Sequence, residues 1–316
     1  ARVGRGGATV AVNGAPASMM LRGADITGAL RDAKEQQITV QGANAPRLLA
    51  GAWLETVPEQ FITRILADTV PTAEALHVTV SANAAVAVEV ELRDGAQILA
   101  AAKGVTGERL WLKPERPRLW TPVEPFLYQI HARLASGDEA GSYAAMRTLG
   151  VGRDAQGLTR TLLNGKPHYF HGVMATGWPS PASLRKLGFD TVRQPGLAPE
   201  RWYTECDRAG LFVWQDLPAP APAGTAATFR RDTLALVELL RVHPAIALWT
   251  LFNEGNGQKS IGLDAARALA GEITRLDANR LVSGGSGWFD TANGHVHAMH
   301  FLPGPALFDP GPRRAS

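Results

Sequence analysis

With 316 residues, 45% of them hydrophobic and 19% charged, the chain is long enough for two or three domains and apolar enough to bury a sizeable core. Its 32 basic residues exceed its 29 acidic ones by three and are scattered in runs no longer than two, which argues against a nucleic-acid footprint. A single cysteine, Cys206, excludes an internal disulfide and a cysteine-built zinc cluster. No run of 18 apolar residues offers a membrane-crossing helix, and nothing near Ala1 reads as a secretion signal.

Residues 1–59 alternate apolar and polar side chains, as in Ala8-Thr9-Val10-Ala11-Val12 and Gln37-Ile38-Thr39-Val40, with Asn13-Gly14 as a turn. This is the period of half-buried strands. Residues 60–149 continue the pattern through Leu76–Val80, Val86–Leu92, Leu119–Pro122 and Leu127–His131. About seven short strands in some 90 residues predict an immunoglobulin-like β-sandwich. Trp53 and Trp120 are expected in the cores of these β zones.

From 150 on, and clearly after Gly157, strands alternate with helices. The expected strands are Tyr169–Val173, Asp190–Arg193, Leu211–Trp214, Ile246–Leu251, Arg280–Ser283 and His295–Met299. The expected helices are Pro199–Arg208, Thr225–Arg241 and Ile261–Leu276. Repeated βα units predict a parallel sheet or a (β/α) barrel. Six strands in about 160 residues fall short of the roughly 250 that a complete eight-stranded barrel uses. The link between the first two strands, Gly177 to Gly188, has room for barely one helical turn. These spacings predict either a fragment with closed-up internal gaps or a reduced barrel, with the fragment preferred.

Asn253-Glu254 follows the apolar strand Ile246–Leu251, on what would be the catalytic rim of a barrel. A carboxyl there, flanked by Trp249 and Phe252, would suit proton donation. The amide of Asn253 could hydrogen-bond a sugar hydroxyl. Such a pair could equally cap the loop that follows the strand.

The stretch Arg241-Val242-His243-Pro244-Ala245-Ile246 through Trp249 to Asn253-Glu254 resembles the signature of glycoside hydrolase family 2, the β-galactosidase, β-glucuronidase and β-mannosidase group. Thr161–Pro167 with His171-Gly172-Val173 is similar to that family's barrel entry. Leu187–Arg193 is similar to its second strand, and Trp202–Asp216 to its third. Val12–Gly14, Asp25–Thr27 and Trp53–Glu55 resemble half of the family's jelly roll, and Leu119–Tyr128 its sandwich. The resemblance therefore implies a partial jelly roll over 1–59, an immunoglobulin-like sandwich over 60–149 and an incomplete (β/α)8 TIM barrel over 150–316.

It further implies a retaining exo-β-glycosidase, β-galactosidase-like, that cleaves terminal β-linked sugars with two carboxyls. Glu254 matches the general acid/base. The nucleophile would be a glutamate on the seventh barrel strand, and no glutamate follows Glu272 here. Arg193 matches an arginine that positions the carboxylates, and His300 a histidine near the sugar. Asn253, Trp178, Trp288, Asp290 and Asp216 complete the substrate-binding set. Each also has a plainer reading as an ion pair, a packed ring or a cap. Ala175 and Pro195 stand where relatives tend to carry an acidic residue and a histidine, and Leu302 where they carry a tyrosine. A non-catalytic carbohydrate-binding homologue is the competing reading.

No phosphate-binding glycine loop and no nucleophile elbow is present, Gly284-Gly285-Ser286-Gly287 being glycine-rich without that pattern. His295-x-His297-x-x-His300 would need a turn to converge, so neither a metal nor a cofactor is expected. A carbohydrate is the expected partner, nucleic acid and membrane are not, and the oligomeric state is not readable.

Overall fold

The computed structural model describes residues 9–16, 18–20, 23–32, 35–41, 56–220, 225–254, 256–287, 294–298 and 300. The chain is mostly β, with one parallel sheet and a few helices. Five short strands open it: β1 (Thr9–Val12), β2 (Ala15–Pro16), β3 (Ser18–Met20), β4 (Gly23–Asp25) and β5 (Ile38–Gln41). They form a three-stranded sheet, β2-β1-β5, and a separate β3-β4 pair. Asn13 and Gly14 close β1 onto β2 with φ of 52° and 82°. Two successive positive φ values are what a two-residue type I′ hairpin needs, and Asn-Gly adopts them at least cost. Trp53 lies outside the described residues.

Seven strands follow: β6 (Ile62–Thr69), β7 (Leu76–Ala82), β8 (Ala87–Asp94), β9 (Gln97–Val105), β10 (Arg109–Leu112), β11 (Tyr128–Leu134) and β12 (Glu139–Ala144). They make two antiparallel sheets, β10-β7-β6 and β12-β11-β8-β9. Alternate residues of each strand point inward, so Leu76, Val78 and Val80 share one core with Val88, Val90, Leu92, Ile130, Ala132 and Leu134. A short meander of β13 (Leu149–Arg153), β14 (Thr159–Leu163) and β15 (Lys166–Pro167) leads on.

The remaining elements alternate: β16 (Gly172–Met174), α1 (Pro181–Lys186), β17 (Thr191–Gln194), α2 (Glu200–Ala209), β18 (Phe212–Asp216), α3 (Ala226–Leu240), β19 (Ile246–Thr250), α4 (Asn256–Ile261), α5 (Leu263–Leu276) and β20 (Leu281–Ser283). The five strands pair in sequence order, all parallel. All five residues of β19 are buried, because helices and strand neighbours cover both of its faces. The short link between β16 and β17 suffices for a parallel crossover through α1, which starts on Pro181 with Ser180 accepting from the Ser183 amide.

Two expected strands differ. The first is shorter than Tyr169–Val173 and shifted, to Gly172–Met174. Tyr169 is 83% exposed, and the His171 amide donates to the Asp190 carboxylate instead of a ladder carbonyl. His295–Met299 does not form a sixth strand among the described residues. Gly294 takes φ 143°, a bridge pairs Ser283 antiparallel with Gly294, and only a single parallel bridge, Ser286 to Ala298, continues the sheet.

Trp120, expected in the β-sandwich core, is buried in the α/β core instead. Its ring meets Phe212 edge-on at 4.8 Å, and Nε1 donates to the Asp207 carbonyl at 2.9 Å. The Asp207 carboxylate, fully buried on α2, accepts from the Tyr143 hydroxyl of β12 at 2.6 Å, from the Ala245 amide at 2.7 Å and from His243 Nδ1 at 2.8 Å. Burial and then the Asp207 charge push the Tyr143 phenol up, so its proton stays in place to be donated. Arg147 donates to the carbonyls of Pro244, Asn279 and Ile246. The sandwich is thus bonded to the end of the parallel sheet opposite the strand C-termini. No helix among the described residues is long and apolar enough to cross a membrane.

Candidate active site

Parallel pairing brings the C-terminal ends of β17, β18, β19 and β20 to one edge of the sheet, and residues far apart in sequence meet there. Arg193, near the end of β17, is the hub. Its Nε donates to both carboxylate oxygens of Asp216, the last residue of β18, at 3.0 and 3.1 Å. Its Nη2 donates to Asn253 Oδ1 at 2.9 Å and to Ser286 Oγ at 2.8 Å, and its Nη1 donates to His300 Nε2 at 2.9 Å. His300 Nδ1 lies 3.2 Å from Glu254 Oε1. The end of β18 and the segments after β19 and β20 therefore converge on one guanidinium of β17. Its planar fork is suited to holding several acceptors at fixed angles.

Asp216 is almost fully buried. Burial pushes its carboxyl above the ordinary range, against hydrogen bonds from Arg193 and Thr250 and the charge of Arg193. Behind it, Gln215 accepts from the Tyr203 hydroxyl at 2.6 Å and donates to the Gly196 carbonyl at 3.0 Å, which braces the loop after β17.

Asn253 and Ser286 extend the ladder beyond β19 and β20 through a parallel bridge, with the Ser286 amide donating to the Phe252 carbonyl at 2.8 Å. Ser286 Oγ also donates to Asn253 Oδ1 at 3.1 Å. Both lone-pair sites of that oxygen are thus taken, and Nδ2 is the group the amide can offer to a hydroxyl. Glu254 then adopts φ 53°, a left-handed conformation uncommon for a residue with a Cβ. The aromatic enclosure expected for it is not formed. Phe252 stacks on Phe229 and Trp249 donates to Asp277, both rings buried, while the Glu254 side chain is 53% exposed.

Gly287, with φ 99°, packs against this pair. A Cβ there would lie 3.1 Å from Glu254 Cα, 3.3 Å from Glu254 Cγ and 3.3 Å from His300 Nδ1. A Cβ there would press tightly on both residues of the Glu254–His300 contact and sit on a left-handed backbone that side chains rarely adopt, so glycine suits the position.

Of the residues named from the sequence, Arg193, Asp216, Asn253, Glu254 and His300 come together. Trp178 follows β16 and is 52% exposed, with no described contact to the cluster. Trp288 and Asp290 lie outside the described residues, as does Leu302. Ser286 and Gly287 were missed, although a serine set among glycines just after a buried strand was the available signal. His295 Nδ1 accepts the Val282 amide at 3.0 Å, so its ring pins the chain to β20. No group of three metal-capable side chains occurs among the described residues.

No protein-family model matches the chain. It is similar to the β-glucuronidase of Sus scrofa, 29% identical over 216 residues that cover 58% of this chain and 32% of that protein. It is also similar to the β-glucuronidase of Chlorocebus aethiops, 30% identical over 204 residues, covering 52% and 30%. Among solved structures it shares its fold with a glycosyl hydrolase family 2 member from Bacteroides cellulosilyticus, with a TM-score of 0.72 and 20% identity over 95% of this chain and 49% of that one. It shares it too with the β-glucuronidase of Parabacteroides merdae, with a TM-score of 0.75 and 18% identity over 95% and 48%. The chain spans about a third of the length of the curated relatives it matches.

Proposed function

We propose that this chain, a relative of glycoside hydrolase family 2, carries the acid/base half of a retaining exo-β-glycosidase site, with Glu254 as the general acid/base. The observation that supports this most is the convergence of Arg193, Asn253, His300 and Glu254 at the strand C-termini, with the Glu254 carboxyl open to solvent. A half-exposed carboxyl at the rim can reach a leaving-group oxygen, and the free Nδ2 of Asn253 can donate to a hydroxyl of the ring. Asp216 holds Arg193, and Arg193 holds the other three. Trp178, half exposed after β16, is the described candidate for a sugar-binding wall; Trp288 and Asp290, expected there from the sequence, lie outside the described residues. The surrounding frame is a partial jelly roll over 1–59, an immunoglobulin-like sandwich over 60–149 and an incomplete (β/α)8 barrel over 150–316. The relatives support a terminal β-glucuronide as the first substrate to try, with a β-galactoside beside it.

The second reading, a carbohydrate-binding homologue without turnover, draws on Ala175 and Pro195, which leave two rim positions without a polar side chain. The test is Glu254→Ala in the complete protein. The substitution should slow hydrolysis of poor leaving groups by about 10²–10⁴-fold, with added azide restoring activated substrates. An unchanged rate on a natural glycoside rejects the assignment. A complete protein that binds glycosides without cleaving them selects the second reading.

A further inference from the structure

We infer that Arg193 fixes the tautomer of His300, and that His300 thereby acts as a positioning residue that decides which oxygen of Glu254 is presented. A guanidinium has donors only, so its Nη1, 2.9 Å from His300 Nε2, makes a hydrogen bond only if that nitrogen carries a lone pair. The ring proton then sits on Nδ1. That nitrogen faces Glu254 Oε1 at 3.2 Å and donates to it. The chain of donors runs one way, from guanidinium to imidazole to carboxylate.

Two consequences follow for Glu254. Oε1 is occupied by the imidazole N–H, so Oε2 is the oxygen that carries and delivers a proton. The side chain, which starts from a left-handed backbone and is half exposed, is tethered against rotation. Gly287 leaves the tether uncrowded, since a Cβ there would lie a tight 3.3 Å from His300 Nδ1. Among the described residues, the charged groups that face the imidazole include Arg193, Glu254 and, through Arg193, Asp216. This inference rests on the proposed acid/base role only for its catalytic meaning. The tautomer is a property of the chain without sugar.

The experiment is ¹⁵N–¹H correlation spectroscopy of the histidine rings in the full chain at neutral pH. His300→Ala assigns the signal among the eight histidines. The wild type should show His300 protonated at Nδ1 and pyridine-like at Nε2, the minority form of a free imidazole. Glu254→Ala should leave the Nδ1–H form in place, because the Arg193 donor at Nε2 still selects it, and Arg193→Met added to Glu254→Ala should return the ring to the Nε2–H form, because the carboxylate that also favours Nδ1–H is then gone. The other histidine signals report whether each variant keeps its fold. An Nε2–H ring or an imidazolium in the wild type overturns the inference, as does a ring that leaves the Nδ1–H form in Glu254→Ala or keeps it in the double variant. A glycosidase assay that fails with the Nδ1–H ring in place counts against the proposed function and leaves this inference standing.

Discussion

Asp216 illustrates how one buried carboxyl sets the terms for its neighbours. Burial outweighs the pull of Arg193 and Thr250, so its folded-state pKa lies above the unfolded value near 3.8. Over the interval between the two, the native state binds more protons than the unfolded state. Asp216 therefore contributes most to stability below the unfolded value, and that contribution declines as pH rises through the folded one. Asp216→Asn removes the titration. The stability difference, wild type minus variant, should be largest at the acid end and shrink as pH rises through that window. Urea unfolding of both proteins across pH measures it, and a difference that grows with pH contradicts the direction. The sequence offers the same residue as the end of a strand and a candidate substrate-binding group, not as the anchor of an arginine. Its partners were not legible, because Arg193 and Asp216 lie 23 residues apart and meet only once β17 and β18 pair in register.

The helices and inner strands were the most legible elements. Thr225 and Thr228 form a capping box, and α3 ends at Leu240, just before Arg241, so the 225–241 expectation is met within a residue. The run Ile246–Trp249 is apolar because both faces of its strand are covered. Edge elements were less legible. Among the described residues the first parallel strand has a neighbour on one side only, and bonds such as the His171 amide to the Asp190 carboxylate decide where it starts. The turn at Gly294 depends on close approach to the Val282 carbonyl, which no periodicity encodes. Gly210, the left-handed cap of α2, is a similar case. A Cβ there would lie 2.5 Å from the Pro122 carbonyl oxygen. Gly210→Ala should cost more than the roughly 1–2 kcal/mol of a left-handed alanine. Gly177→Ala, with φ 74° and nothing within 4 Å, gives the backbone cost alone. Equal losses in chemical denaturation for the two variants would show that the Pro122 contact carries no weight.

At the scale of the whole molecule, the sandwich and the parallel sheet share hydrogen bonds that neither satisfies alone. Tyr143→Phe removes a donor from the buried Asp207 carboxylate and should lower stability by about 1–3 kcal/mol. One cooperative transition should persist when followed by tryptophan fluorescence and far-ultraviolet dichroism, and two separate transitions would show that the joint is weaker than its bonds suggest. The catalytic expectation also belongs here. A retaining site needs two carboxyls, and losing one of them costs orders of magnitude. The 316-residue chain should give no measurable release of nitrophenol from aryl β-glucuronides or β-galactosides, and clear turnover would reveal a nucleophile within it.

The indole of Trp120 has a consequence for how such a protein can be divided. The residue belongs by sequence to the sandwich, yet its ring fills a socket beside Phe212 in the neighbouring α/β layer. An excision at residue 150 would leave that socket empty, with Phe212 facing water and the Asp207 carbonyl short of its donor. The segments are interlocked like a key left in its lock. The sandwich therefore cannot swing as a mobile arm, and a grafted or shuffled version of the α/β part would have to bring Trp120 with it.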